Sequence, residues 1–178
     1  MARKGALQQS TMHNYTEKKQ GLTPKSLFKK TQKEEHLHCL LCGQNNRRGL
    51  KLDFRPTDDG GIETSFECSK TLQGYKDIIH GGVISALLDS VMTNCLFAHG
   101  IKAFTAELNT RFMTPVKTKG SVRLRANIEK SSGSYYILKA SLTQGQTVKA
   151  KATGKFIAFF KNAAAKNVSA VTKVVSAT

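Results

Sequence analysis

A carboxylate inside an apolar segment is the first residue of this sequence that could do chemistry. Asp89 stands between Leu87-Leu88 and Val91-Met92, in a segment of helical length that is apolar on nearly every side. Such a helix is expected to be buried, and a carboxylate removed from water is costly unless it is paired or used. Asp89 could therefore serve in catalysis. Its side chain could equally face a solvent gap or bond to Ser90 or Thr93.

A histidine and two glycines precede the same segment. His80-Gly81-Gly82 comes directly before the apolar run that begins at Val83, and Asp89 follows His80 by nine residues. Glycine lets the backbone approach a ligand closely, and the free N–H groups and dipole of a helix start favour negative charge. An oxyanion hole needs these features. An ordinary glycine-rich turn with a histidine cap shows the same pattern.

The elements that must position these residues are two strands, one helix and four further strands. Alternating apolar and polar residues predict the strands, over 50–54, 62–68, 104–115, 121–130, 135–143 and 147–160. The helix is predicted over 83–97, ending near Gly100. Short turns between strands make neighbours antiparallel. The expected fold is α+β, an antiparallel β-sheet wrapped around one long central helix. The helix has more apolar surface than one sheet can cover, which suggests that a second subunit covers the rest.

The ends of the chain are expected to lie outside this unit. We predict a basic flexible arm over 1–36, with a short helix near 24–30, a folded domain over 37–161 and a flexible tail over 162–178. The longest apolar stretches are far shorter than a membrane span, and no apolar run follows the basic start as in a secretory signal. We therefore expect a cytoplasmic protein without a membrane span.

Charge and cysteine content restrict the partners. The 178 residues carry a net charge of +16, which favours anionic partners such as nucleic acid, acidic lipid or a phosphate-rich small molecule, and also promotes solubility. The few cysteines are expected to be free thiols. His36, His38, Cys39 and Cys42 could in principle hold Zn²⁺. A lone C-x-x-C more often forms a tight turn with buried thiols, so no metal is predicted.

Residues 75–89 resemble the signature of hotdog-fold thioesterases of the phenylacetyl-CoA thioesterase (PaaI-like) type. Residues 105–116 resemble the next strand of that family, and residues 39–43 with Gly49-Leu50 look like an opening found in many members. The resemblance covers roughly 39–160. It implies a hotdog fold and an acyl-CoA thioesterase, which hydrolyses an acyl- or aryl-CoA substrate to free acid and CoA without a cofactor.

The resemblance also implies roles for residues. Asp89 would act as general base on water or as nucleophile, and the Gly81 backbone N–H would polarise the thioester carbonyl. His80 would orient the loop or the acyl group, and the Thr105 hydroxyl would help to position the water. The loop and the aspartate come from opposite subunits in that family, so a homo-oligomer, either a dimer or a dimer of dimers, is expected.

One position departs from the family pattern. Many members carry an Asn or an acid six residues before the histidine, where this sequence has Gly74, so Gln73 could supply the amide or the role could be empty. We assign substrate binding to Gly82, Asn109 and Arg111, since an arginine can bind the phosphates of coenzyme A.

Two other functions remain open from the sequence. One is a hotdog hydratase or dehydratase acting on acyl-CoA or acyl-carrier-protein substrates, although these pair a histidine with an acid in other local contexts. The other is a non-catalytic acyl-CoA-binding regulator. Because the basic arm shows no helix-turn-helix pattern, no nucleic acid partner is predicted.

Overall fold

The computed structural model describes residues 23–159, which form one antiparallel sheet around a central helix. The six strands lie in the order β1-β2-β4-β5-β6-β3, and all neighbours are antiparallel. The strands are β1 (Phe54–Pro56), β2 (Ile62–Glu67), β3 (Ala103–Phe112), β4 (Ser121–Ser132), β5 (Tyr135–Gln144) and β6 (Thr147–Ala158). The predicted α+β class and the sheet-around-helix architecture are confirmed.

Within residues 23–159, two α-helices accompany the sheet, α1 (Pro24–Glu35) and α2 (Gly81–Ala98). Helix α2 contacts all six strands, and Leu88, Val91 and Met92 on it have no exposed surface. By length and composition alone α2 could cross a membrane, but 61% of it is buried within the fold. This burial is the behaviour of a core helix, because the sheet covers its apolar surface.

Helix α1 extends the folded region toward the N-terminus. The Thr23 side chain caps it by accepting from the Ser26 N–H at 3.3 Å, and the helix packs on α2 with Phe28 only 4% exposed. We expected a flexible arm to residue 36 with a helix over 24–30, whereas this helix is longer and packed. The remainder of the predicted arm and tail, 1–22 and 160–178, lies outside the described residues.

The first predicted strand is shifted along the chain. Residues 50–53 are not in the sheet, and β1 begins at Phe54. The backbone N–H groups of Leu50 and Leu52 instead donate to the carbonyls of Leu40 and Leu41, at 2.9 and 3.0 Å. The apolar alternation of residues 50–53 therefore belongs to a loop that is hydrogen-bonded to the segment of Leu40 and Leu41, before the sheet begins.

Strand β3 lies at one edge of the sheet, where it pairs with β6. Its other edge has no strand partner among residues 23–159. Three of the five large apolar side chains that are exposed in the described chain lie on β3 or directly after it, Phe104, Phe112 and Met113, each about half exposed. An unpaired edge with apolar side chains is a surface on which another chain can add.

Candidate active site

The carboxylate of Asp89 is held against the sheet by a hydroxyl. Thr105 Oγ1 donates to Asp89 Oδ1 at 2.8 Å. Thr105 lies on β3 opposite Phe156, a fully buried residue, so both side chains project toward α2. The hydrogen bond that Asp89 makes is thus with a neighbouring strand, not with Ser90 or Thr93 on its own helix.

The surroundings of Asp89 raise its pKa above the ordinary value of an aspartate. Burial is the largest cause, because it penalises the charged carboxylate. The hydrogen bond from Thr105 and the charge of His36 act in the opposite direction, and Cys39 adds a small rise. A carboxylate with a raised pKa is a better proton acceptor, which suits a general base.

At the N-terminal end of α2, the side chain of His80 caps the helix. Its backbone is extended (φ −60°, ψ 134°), and its Nδ1 accepts from the Gly82 N–H at 2.9 Å. Since an N–H can only donate, Nδ1 is the acceptor and a neutral ring carries its proton on Nε2. Across residues 23–159, no hydrogen bond uses the Gly81 N–H. This N–H is therefore available at the positive end of the helix dipole.

The loop before α2 is fixed by its own hydrogen bonds. Gln73 Oε1 accepts from the Asp77 N–H at 3.2 Å, and Asp77 has a positive φ of 58°. A methyl group on Gly74 would lie 3.1 Å from Cδ2 of His80, so the ring rests on this glycine. Gln73 therefore supports the loop through its carbonyl oxygen, and Gly74 makes room for the histidine.

Within one chain the structure brings the predicted site residues together in two separate groups. Asp89 and Thr105 form one group. His80, Gly81, Gly82 and Gln73 form the other, at the start of α2. Gly81 and Asp89 are eight residues apart on one helix, which is ~12 Å along its axis. Two groups at that distance do not act on one carbonyl, which needs both within about 3 Å.

The structure does not bring Asn109 and Arg111 to Asp89. In the register of β3 with β6, Thr110 pairs with the buried Ala152, so its neighbours in the strand point away from α2. Asn109 and Arg111 thus lie on the outer face of the sheet. A register shift between Thr105 and Glu107 separates their face from that of Thr105.

Sequence reasoning missed one residue beside the loop. A methyl group on Gly81 would lie 3.5 Å from the ring of Phe112, which is itself 53% exposed. Phe112 therefore offers an apolar surface next to the Gly81 N–H. The only signal in the sequence was an aromatic residue near the end of a predicted strand.

Comparison with known proteins gives matches to thioesterases. The model of the thioesterase superfamily matches residues 76–151. Acyl-coenzyme A thioesterase THEM4 of Bos taurus is 27% identical over 106 residues, which are 58% of this chain and 44% of that protein. Acyl-coenzyme A thioesterase THEM5 of Homo sapiens is 28% identical over 120 residues, 65% of this chain and 48% of that protein. The matched region thus spans less than half the length of these two relatives.

A solved structure agrees with these sequence matches. The PaaI protein of the phenylacetic acid degradation operon of E. coli superposes with a TM-score of 0.63 at 17% identity, covering 76% of this chain and 97% of that one. At this identity the superposition establishes the fold. Together the matches confirm the resemblance: residues 76–151 match the thioesterase superfamily, and the chain has the hotdog fold of the PaaI protein.

Proposed function

We propose that this chain hydrolyses the thioester of an acyl- or aryl-CoA to free acid and CoA. The observation that carries the proposal is the half-buried carboxylate of Asp89, held by Thr105 Oγ1 at 2.8 Å on a helix whose buried side chains are mostly apolar. The two curated relatives named as acyl-coenzyme A thioesterases support the substrate class. The unbonded Gly81 N–H supplies the second requirement of thioester hydrolysis, a donor for the oxyanion.

The chemistry follows from these two groups. Because Thr105 occupies Oδ1 of Asp89, the other carboxylate oxygen is left to accept a proton from water that attacks the carbonyl carbon, or to attack that carbon itself. The negative charge that develops on the carbonyl oxygen is stabilised by the Gly81 N–H and the helix dipole. The thiolate of CoA then leaves, and a thiolate needs no acid to assist it. If Asp89 is the nucleophile, this step leaves an anhydride between Asp89 and the acyl group, which water then hydrolyses to release the free acid and restore the carboxylate.

A complete site requires a second copy of the chain. The ~12 Å between Gly81 and Asp89 along α2 prevents both from acting on one thioester within a single chain. The unpaired edge of β3 carries Thr105 and the exposed Phe104 and Phe112, so a second copy that adds along this edge would bring its own loop near Asp89. We infer a homodimer as the catalytic unit, alone or within a dimer of dimers.

The remaining site residues have supporting roles in this proposal. His80 fixes the start of α2 by accepting from the Gly82 N–H, and Gln73 supports the loop by accepting from the Asp77 N–H. Asn109 and Arg111 lie on the outer face of the sheet, away from Asp89. They are therefore candidates for binding the coenzyme A portion at a distance from the thioester, where a guanidinium suits a phosphate.

The test is thiol release from short, long and aromatic acyl-CoAs by the wild type, Asp89→Asn and Asp58→Asn. Asp58 is exposed on a turn, so the second variant removes the same charge outside the site. We expect Asp89→Asn to lose at least ~10²-fold in rate, the usual contribution of a general base, and Asp58→Asn to match the wild type.

Circular dichroism of each variant checks that it is folded. Near-wild-type turnover by folded Asp89→Asn would refute the assignment of this carboxylate. If crotonyl-CoA is hydrated while no acyl-CoA is hydrolysed, the hydratase alternative replaces the thioesterase. Tight acyl-CoA binding without any turnover would instead identify a regulator.

A further inference from the structure

A cluster of one histidine and two cysteines lies where α1 ends and the chain turns toward the sheet. His36, Cys39 and Cys42 each offer a ligand atom, and all these atoms lie within 4.8 Å of one another. His36 Nδ1 is 3.5 Å from Cys42 Sγ. His38, the other histidine of this segment, is exposed and is not a member of the cluster.

Backbone hydrogen bonds close the C-x-x-C turn and contact the sulfur of Cys39. The Gly43 N–H donates to the Cys39 carbonyl at 2.9 Å, and the Leu41 N–H donates to Cys39 Sγ at 3.4 Å. A Cβ at Gly43 would lie 2.3 Å from the Cys39 nitrogen, so the turn requires glycine. An N–H directed at a sulfur favours its thiolate form, which is the form that binds a metal.

The separation of His36 and Cys42 matches that of two ligands on a tetrahedral zinc ion. Zinc bonds to imidazole nitrogen at about 2.0–2.1 Å and to thiolate sulfur at about 2.3 Å, so at the tetrahedral angle the two ligand atoms are separated by about 3.6 Å. The observed separation of His36 Nδ1 and Cys42 Sγ is 3.5 Å. Nitrogen and thiolate sulfur are also the ligands that zinc prefers over magnesium or calcium.

Outer contacts hold Cys42 and His36 in place. The fully buried Asn94 of α2 donates from Nδ2 to Cys42 Sγ at 3.9 Å and to the Ser90 carbonyl at 2.8 Å. Its Oδ1 accepts from Gln32 Nε2 of α1 at 3.1 Å. The ring of His36 packs edge-on against Phe97, with centroids 4.7 Å apart. Such outer-shell contacts typically orient metal ligands.

We propose that His36, Cys39 and Cys42 bind a zinc ion, with the fourth position open to water. The proposal reverses our expectation from the sequence, because a lone C-x-x-C does not show that the end of α1 brings a histidine to it. The ion would join the end of α1 to the turn that packs on α2. The argument for zinc binding does not rest on the proposed hydrolysis.

The test is metal analysis of the reduced, full-length chain purified without an affinity tag, followed by titration of the metal-free protein with Co²⁺ and Zn²⁺. We expect one equivalent of zinc, a cobalt spectrum with thiolate-to-metal charge-transfer absorption, and a lower melting temperature after chelation. Cys39→Ser and Cys42→Ser should lose this binding. Cys68→Ser is the matched control, because Cys68 is a free, half-buried thiol outside the cluster, and it should bind like the wild type.

The cobalt spectrum of the wild type decides the question even if a cysteine variant fails to fold. Absence of charge-transfer absorption and of tight zinc binding in the reduced protein would overturn the proposal. Equal loss of binding in Cys68→Ser and Cys39→Ser would also overturn it. A third result would overturn the proposal: alkylation and mass spectrometry find a Cys39–Cys42 disulfide, and the protein still binds no zinc after this disulfide is reduced.

Discussion

A subunit-mixing experiment tests whether the site is shared between two chains. Asp89→Asn removes the carboxylate, and Gly81→Pro removes the N–H proposed for the oxyanion hole. Gly81 is the first residue of α2, where proline is tolerated, and His80 already has the extended backbone that a following proline requires. The control is Gly81→Ala, which keeps the N–H and places its methyl at an ordinary 3.5 Å from Phe112.

The geometry sets the expected activities. Loss of one oxyanion donor typically lowers kcat by ~10²–10³, so we expect each of Asp89→Asn and Gly81→Pro to be nearly inactive alone. In a dimer with shared sites, a mixed pair has one site with both groups intact and one site with neither. Random association of equal amounts should therefore restore about one quarter of wild-type activity.

Thiol release is measured after the two variants are co-refolded, and native mass spectrometry measures the fraction of mixed dimers. Mixed dimers without restored activity would refute the inference that Gly81 and Asp89 act across the two chains. Full activity of Gly81→Pro alone would show that this N–H does not stabilise the oxyanion. Gly81→Ala must keep most activity, because otherwise bulk at this position, and not the missing donor, explains the loss in the proline variant.

Two further predictions concern the ionisation of Asp89. Because burial raises the pKa of Asp89, activity should already fall with decreasing pH above the pH range in which an ordinary aspartate titrates. Thr105→Val lacks the hydrogen bond that lowers this pKa, so the acid limb of its pH–rate profile should move to higher pH. An unmoved limb would show that another group controls it. A carboxylate whose pKa is raised by folding destabilises the native state when it is charged. Asp89→Asn should therefore raise the free energy of unfolding at neutral pH, measured in urea. This gain should fade as pH falls from the raised pKa of the folded state toward the pKa of the unfolded state, where both states are protonated. An unchanged free energy of unfolding at neutral pH would contradict the burial argument.

The sequence alone determined the elements whose signal is local. Strands β4, β5 and β6 were predicted within two residues of their ends, because each alternates between one buried and one exposed face and each is bounded by a turn. The helix start was also readable, since the His80-Gly81-Gly82 cap is built from consecutive residues. A buried carboxylate in an apolar helix marked Asp89 before any neighbour was known.

Only the tertiary structure decided which of these residues meet. Helix α1 packs on α2 with Phe28 buried, whereas the polar residues around Phe28 in the sequence did not indicate a packed helix. The cluster of His36 with Cys39 and Cys42 likewise depends on where α1 ends relative to the turn. These contacts join segments whose relative position is set by the core.

Strand β3 shows most directly why the sequence alone does not predict which side chains meet. Strict alternation would place Thr105, Asn109 and Arg111 on one face of the sheet. The register shift between Thr105 and Glu107 inserts one extra residue, so Thr105 turns toward Asp89 while the other two turn away. A bulge leaves little trace in the residues of its own strand, because it arises from pairing with a neighbour. The sequence alone predicted the carboxylate of Asp89, whereas the pairing of β3 with β6 places the Thr105 hydroxyl beside it.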